Sequence, residues 1–322
     1  MSRIWWYALG YFLCYVPFGA LTKAASEGLV TDGQKIAGLS LLPGNAIASM
    51  LVMITFLTVS GWWRAADQVR VGRFSVPVPG RDTLLSGLCV AFITTTTMLA
   101  YAIEGVSVLF MMLLMRGTVL ILAPIVDLLS GRKPRTAAYW ALGLSLIGVL
   151  LPIVDANSFK MPFWATVDLA VYVAAYFLRF RLMSKTGKSD APDAGRRYLV
   201  GEQITCSIAV LLATVLLAVI GIPGTSSAVA HGFSMLLVPA LGGIALLIGA
   251  LSQGTGTFGS LVLLDGREHT YCVPVNRASS VLAGVAATSL LALVVDTTWP
   301  SRDELIGSTL VIVAIVLLAR AR

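Results

Sequence analysis

The chain has 322 residues, 57% of them hydrophobic and only 12% charged, with a net charge of +7. Ordinary soluble domains carry about 25% charged residues, so this composition excludes them, and the absence of short strictly alternating segments excludes a closed β-barrel. The basic excess stands at the ends of apolar runs, unlike the clustered face of a nucleic-acid binder, and Cys14, Cys89, Cys206 and Cys272 stand singly, without zinc or disulfide spacing.

A helix needs about 20 apolar residues to cross the hydrocarbon layer. Hydropathy predicts ten such spans, at about 4–22, 36–60, 83–102, 107–130, 137–154, 162–182, 198–220, 233–253, 270–294 and 304–320. The first resembles a secretory leader, with one Arg, an apolar run and small residues behind it. Pro17 interrupts it and many spans follow, so it reads as a retained helix. Tyr7, Tyr11 and Tyr15 recur every four residues along it and share one face. In the second span Pro43-Gly44-Asn45 predicts either a plain kink or a hinge with Asn45 as a polar contact. The third span ends at the turn Glu104-Gly105, where Glu104 either caps or contributes to a gate.

The fourth span holds Arg116 inside MMLLMRGTVLILAP. A guanidinium at a helix centre costs roughly 2.5 to 3.5 kcal/mol on insertion scales, so its retention demands a partner. Asp127 lies on a similar helix face but about 16 Å further along at 1.5 Å per residue. The sixth span carries Asp168, Tyr172 and Tyr176, and leads into RFRLMSKTGKSDAPDAGRR, a solvated basic loop. In the seventh, Glu202 is an acid beside an apolar run, open to four readings: a partner, like Asp168, for the buried arginines, a proton carrier, a cap, or a partner for Arg196 or Arg197. Residues 254–264 either extend the eighth span or break it. Their GTGTFG matches the dinucleotide fingerprint without any βαβ context and reads as close helix packing. The turn Asp265-Gly266 precedes the ninth span, where Pro274 removes a backbone donor beside Asn276 and Arg277. His231 and His269 fall in loops away from any metal or nucleophile cluster. No metal site, cofactor or enzymatic constellation is expected.

Cytoplasmic loops accumulate Lys and Arg. With the N-terminus inside, 17 basic residues fall on the inner side and four (Lys23, Lys35, Lys160 and Arg302) on the outer. That asymmetry predicts a multi-pass protein of the inner (plasma) membrane with both termini cytoplasmic. All seven Trp lie near predicted helix ends, where an interfacial belt belongs.

The spans also repeat. Glu104-Gly105 stands 12 residues before Arg116, and Asp265-Gly266 stands 12 before Arg277, so a single shift of 161 relates both pairs. The same shift carries Thr94 to Thr255, Thr96 to Thr257 and Asp32 to Asp193, and after the arginines the register slips by about three, matching Gly143 to Gly307. Residues 1–157 then form a first five-helix repeat and 158–322 a second. Five spans per half is an odd number, which inverts one half relative to the other, as in transporters whose substrate site lies where the halves meet.

This pattern resembles the drug/metabolite transporter superfamily, in its ten-helix EamA-like branch. The likeness is carried by TMLAYAIEGVSVLFMMLLMRGTVLILAPIVDLLSGRKPRTAAYWALGLSLIGVLL and its counterpart GSLVLLDGREHTYCVPVNRASSVLAGVAATSLLALVVDTTWPSRDELIGSTLVIVAIVLL. One departure is the turn SGRKP, which has no acid where many relatives carry Gly-Glu. The resemblance implies an all-α membrane protein working by alternating access, with a central cavity lined by helices one to four and six to nine and with the fifth and tenth outside.

Arg116 and Arg277 then stand at matching depth in opposed helices. Either acids or carbonyls hold them structurally, or together they bind an anion, for which guanidinium is suited by its paired donors and permanent charge. The anionic substrate expected is small or lipid-linked, with membrane lipids as surroundings. Tyr11, Tyr15, Tyr172, Tyr176 and Asn276 complete the expected site, while Glu202, Asn45, Glu104 and Asp265 are candidates for coupling or gating. The rival reading is a carrier of amino acids, amines or drugs whose tyrosines hold a cation; a membrane-embedded enzyme or scaffold is the remote one. Oligomeric state is not legible in the sequence.

Overall fold

A computed structural model describes residues 2–30, 33–36, 38–71, 74–100, 108–154, 162–295, 299 and 302–320. Among these the chain is almost wholly helical. Its long helices are α1 (Arg3–Glu27), α2 (Leu42–Ser60), α3 (Arg81–Ala100), α4 (Val108–Leu129), α5 (Thr136–Val154), α6 (Phe163–Leu182) and α7 (Ala194–Val219). A short α8 (Thr225–Met235) precedes α9 (Pro239–Leu263), α10 (His269–Val295) and α11 (Arg302–Arg320). Nine of the ten expected segments each overlie one long helix. Six are long and apolar enough to cross a membrane: Arg3–Glu27, Gly38–Ser60, Phe163–Gly187, Ala194–Val219, Pro239–Leu263 and His269–Val295. The boundary expected at 157/158 lies outside the described residues.

Three local expectations change. Pro43 does not break α2. It occupies the helix's first turn after a 3-10 turn at Gly38–Leu41, where its missing N–H has no intrahelical partner to lose. The eighth expected segment, 233–253, is displaced: α8 takes its start, and α9 begins on Pro239 and runs through the GTGTFG stretch. Between α2 and α3 stands a hairpin absent from the hydropathy reading, with β1 (Gln68–Val71) antiparallel to β2 (Phe74–Pro77) and Val69 opposite Val76. The alternation in QVRV and FSVP was its signal.

Helix ends follow simple rules. α1 stops where Gly28 adopts φ 79°, and Leu29 N–H turns back to the Ala24 carbonyl at 2.8 Å, a left-handed cap that glycine adopts without steric cost. The start of α10 is capped from another helix. Asp127 on α4 accepts the backbone N–H of His269 at 2.9 Å and of Thr270 at 2.6 Å. Its carboxylate is thereby occupied, and it does not reach Arg116.

Small residues set the closest crossings. α1 packs on α9 and α10, α3 on α6 and α7, and α2 on α7 and α9. A Cβ on Gly44 would stand 2.6 Å from the Ala245 Cβ, and one on Gly249 would stand 2.7 Å from the Asn45 Cα, so α2 and α9 meet at near backbone contact. α5 and α11 pack on each other through Gly148, whose added Cβ would lie 2.8 Å from the Gly307 carbonyl. Gly143, the sequence match for Gly307, has open space around it; the facing glycine is five residues further along α5.

Candidate functional site

Seven helices leave a cavity of about 210 Å³ between them. Tyr11 from α1, Asn45 from α2, Thr94 from α3, Tyr176 from α6, Gln203 from α7, Gln253 from α9 and Arg277 from α10 all line it. Amides and hydroxyls dominate this wall. Among the described residues, its only charged ones are Arg179 and Arg277.

Arg277 stands on α10 nine residues in, past Pro274, through which the helix continues. A proline this near the helix start removes one ladder bond, and the helix runs on through it to Val295. Arg277 is 8% exposed. Its Nη2 donates to the Tyr176 hydroxyl at 2.9 Å, and the guanidinium lies 5.4 Å from the centre of the same ring. Its Nε, buried, has no partner among the described residues. A buried charged donor left without an acceptor is costly, so this atom marks where an incoming acceptor is worth most.

Arg116 on α4 makes the corresponding bond, Nη2 to the Tyr15 hydroxyl at 3.0 Å. Both arginine–tyrosine pairs span 101 residues. Tyr15 stacks on Tyr11 with ring centres 5.5 Å apart, and Tyr176 lies 4.9 Å from Tyr172. Tyr11 and Tyr172 each stand within electrostatic reach of both guanidiniums. Among the described residues neither Arg116 nor Arg277 pairs with an acid.

Beside the cavity a second polar cluster joins four helices. Arg179 on α6 donates from Nε and Nη2 to the two carboxylate oxygens of Glu202 on α7, each at 2.9 Å, and Nη2 also reaches the Ser260 hydroxyl on α9 at 2.8 Å. Ser86 on α3 donates to Glu202 at 2.6 Å and accepts from the Tyr198 hydroxyl at 2.6 Å. Glu202 is fully buried. The fork geometry satisfies both charges, which is what allows them to stand inside an apolar bundle.

The structure thus brings Arg277, Asn276, Asn45, Tyr11 and Tyr176 to the cavity wall. Arg116, Tyr15 and Tyr172 are not on it; they stand behind as a layer contacting those that are. Glu202 is neither a cap nor a partner for Arg196 or Arg197: it is locked to Arg179, a residue the sequence reading assigned to a solvated loop. The burial of α6 to its last turn accounts for the difference, since Arg179 is 5% exposed. Asp265 holds its own turn, accepting from the Arg267 N–H at 3.3 Å. Asp168 is buried with one carboxylate oxygen unpartnered among the described residues, and it meets neither arginine. Glu104 lies outside the described residues. Among them no group of three His, Cys, Asp or Glu is arranged to hold a metal.

Gln203, Gln253 and the Arg179 cluster escaped the sequence reading. A signal existed. Tyr172, Tyr176 and Arg179 are spaced four and three apart, one helical face, and both glutamines interrupt otherwise apolar runs.

No family model matches the chain, and no curated protein does. One solved structure, described only as "Crystal structure of protein", aligns over 98% of this chain and 99% of its own at a TM-score of 0.59 and 15% identity. That likeness is one of fold.

Proposed function

We propose that this chain is a secondary transporter of the inner membrane, moving a small organic anion or phosphate-bearing compound by alternating access, and that it belongs with the EamA-like drug/metabolite transporters. Ten long helices, two arginine–tyrosine pairs with equal separation and the strong basic asymmetry support an arrangement of two inverted five-helix repeats, with all ten helices spanning and both termini in the cytoplasm. The observation that carries the substrate reading is the buried Nε of Arg277, without a partner among the described residues, in a cavity whose described wall has no acid.

An anion entering this cavity gives up hydration, and Arg277 returns it as charge-assisted hydrogen bonds. Arg116 and the tyrosine layer hold the positive potential from behind. The Arg179–Glu202 fork ties α6 to α7 at the end of the cavity nearer the basic loops. In the alternating-access reading this fork is the natural brace of the cytoplasmic side. The amine reading loses ground on one point: the Tyr176 face that a ligand cation would need already carries Arg277.

A thermal-shift screen of purified protein against anionic and cationic metabolites tests the proposal. Anions are expected to raise the unfolding midpoint of the parent and not of Arg277→Gln. Stabilisation by amines alone, equal in parent and variant, would hand the site to the rival reading.

A further inference from the structure

We infer that the cavity selects a compact hydroxylated monocarboxylate, an acid with one negative charge and several hydroxyls, over dianions, lipid-linked carriers and plain alkanoates. This deepens the proposed function and rests on it. Three independent features of the cavity agree.

The first is charge. Of the two cationic residues on the wall, Arg179 is neutralised by Glu202 through paired 2.9 Å bonds, while Arg277 has no acid partner among the described residues. The wall itself therefore presents one uncompensated positive charge, and Arg116 adds to it only through the tyrosine layer. A dicarboxylate or phosphate monoester dianion brings one negative charge too many, and in a low-dielectric cavity an unmatched charge is expelled or protonated.

The second is size. About 210 Å³ falls below the roughly 300–1,000 Å³ of pockets that take drug-sized ligands, which favours an acid of about three to six carbons over a bulky or lipid-linked one.

The third is the neutral wall. Gln253 donates from Nε2 to the Gln203 Oε1 at 2.7 Å, which fixes both amides and leaves the Gln203 NH₂ and the Gln253 carbonyl oxygen for a ligand. Asn276, next to Arg277 on α10 and also on the wall, makes no hydrogen bond among the described residues. These groups offer donors and acceptors in equal measure, the complement of hydroxyls, each of which both gives and takes. An alkanoate of equal length would strip water from them and return nothing, the kind of mismatch on which polar sites discriminate most strongly.

Isothermal titration of the full chain in nanodiscs at pH 7 decides it with three matched sets: glycerate, propionate and tartronate; threonate, butyrate and tartrate; gluconate, hexanoate and glucarate. In at least one set the hydroxylated monoacid is expected to bind tenfold or more tighter than both companions, and Asn276→Ala to weaken that acid fivefold or more while leaving the alkanoate unchanged. If no set favours its hydroxylated monoacid, silence included, the inference is overturned. Should diacids bind best and lose binding in Arg277→Gln, the selectivity argument alone fails and the anion site stands; binding of amines with none of the nine acids would remove both.

Discussion

The two arginine–tyrosine pairs are the same bond in two different places. In the first half Arg116 holds Tyr15 at 3.0 Å, and in the second Arg277 holds Tyr176 at 2.9 Å; yet only the second pair reaches the cavity. The residues 161 positions before Arg179 and Glu202 are Phe18 and Leu41, which pack in an apolar cluster with Ala25 and Ile36. One half is closed by hydrocarbon and the other by a buried ion pair. The same bond thus stands in both halves while its surroundings give each copy different neighbours, because a side chain's role depends on what is left unsatisfied around it.

The largest expected effect tests the polar half directly. Arg179→Gln leaves Glu202 buried and uncompensated and is expected to cost about 3 to 5 kcal/mol of stability, read from thermal or denaturant unfolding in detergent. Converting both residues to leucine, which gives this half the character of the other, is expected to recover most of that loss. If the single variant unfolds like the parent, the fork is no brace.

Next in size is the contrast between the arginines. Arg277→Gln removes a charge-assisted hydrogen bond to ligand worth ~2 kcal/mol, about 30-fold in affinity. Arg116→Gln acts only through the tyrosine layer, and a loss under about threefold is expected from screened charge at a distance. Equal losses in an anion titration would make the halves functionally symmetric and erase the comparison.

The smallest effect lies where α3 begins. The Thr186 hydroxyl, at 2.6 Å, and the Lys185 ammonium, at 3.1 Å, hold the Asp82 carboxyl below its ordinary value of 3.8. A carboxyl lowered in the folded state adds stability above its ordinary value and loses it as pH falls through the folded one. Asp82→Asn is therefore expected to lower the unfolding midpoint slightly at pH 7 and to leave it unchanged near pH 2. Its Lys185 partner is largely exposed, so salt shrinks the difference.

The helices were legible in the sequence because apolar length alone dictates them. So were the tyrosine faces of α1 and α6, which follow from spacing along one helix. The hairpin was missed because its alternation is only four residues long per strand, beneath the scale of a hydropathy window. Asn276 was found by its adjacency to Arg277 and Tyr176 by its spacing from Tyr172, whereas Gln203 and Gln253 come from helices far apart in sequence and have no meaning until those helices pack.

Composition and periodicity by themselves determined a helical membrane-type chain with two arginines inside apolar helices, since backbone satisfaction in an apolar medium admits few alternatives. Only the tertiary structure decided which arginine faces the cavity, that Glu202 belongs to Arg179, and that Asp127 caps α10. Those choices depend on distances between separate helices of a few ångströms, set by glycine crossings and side-chain packing that no one-dimensional pattern records.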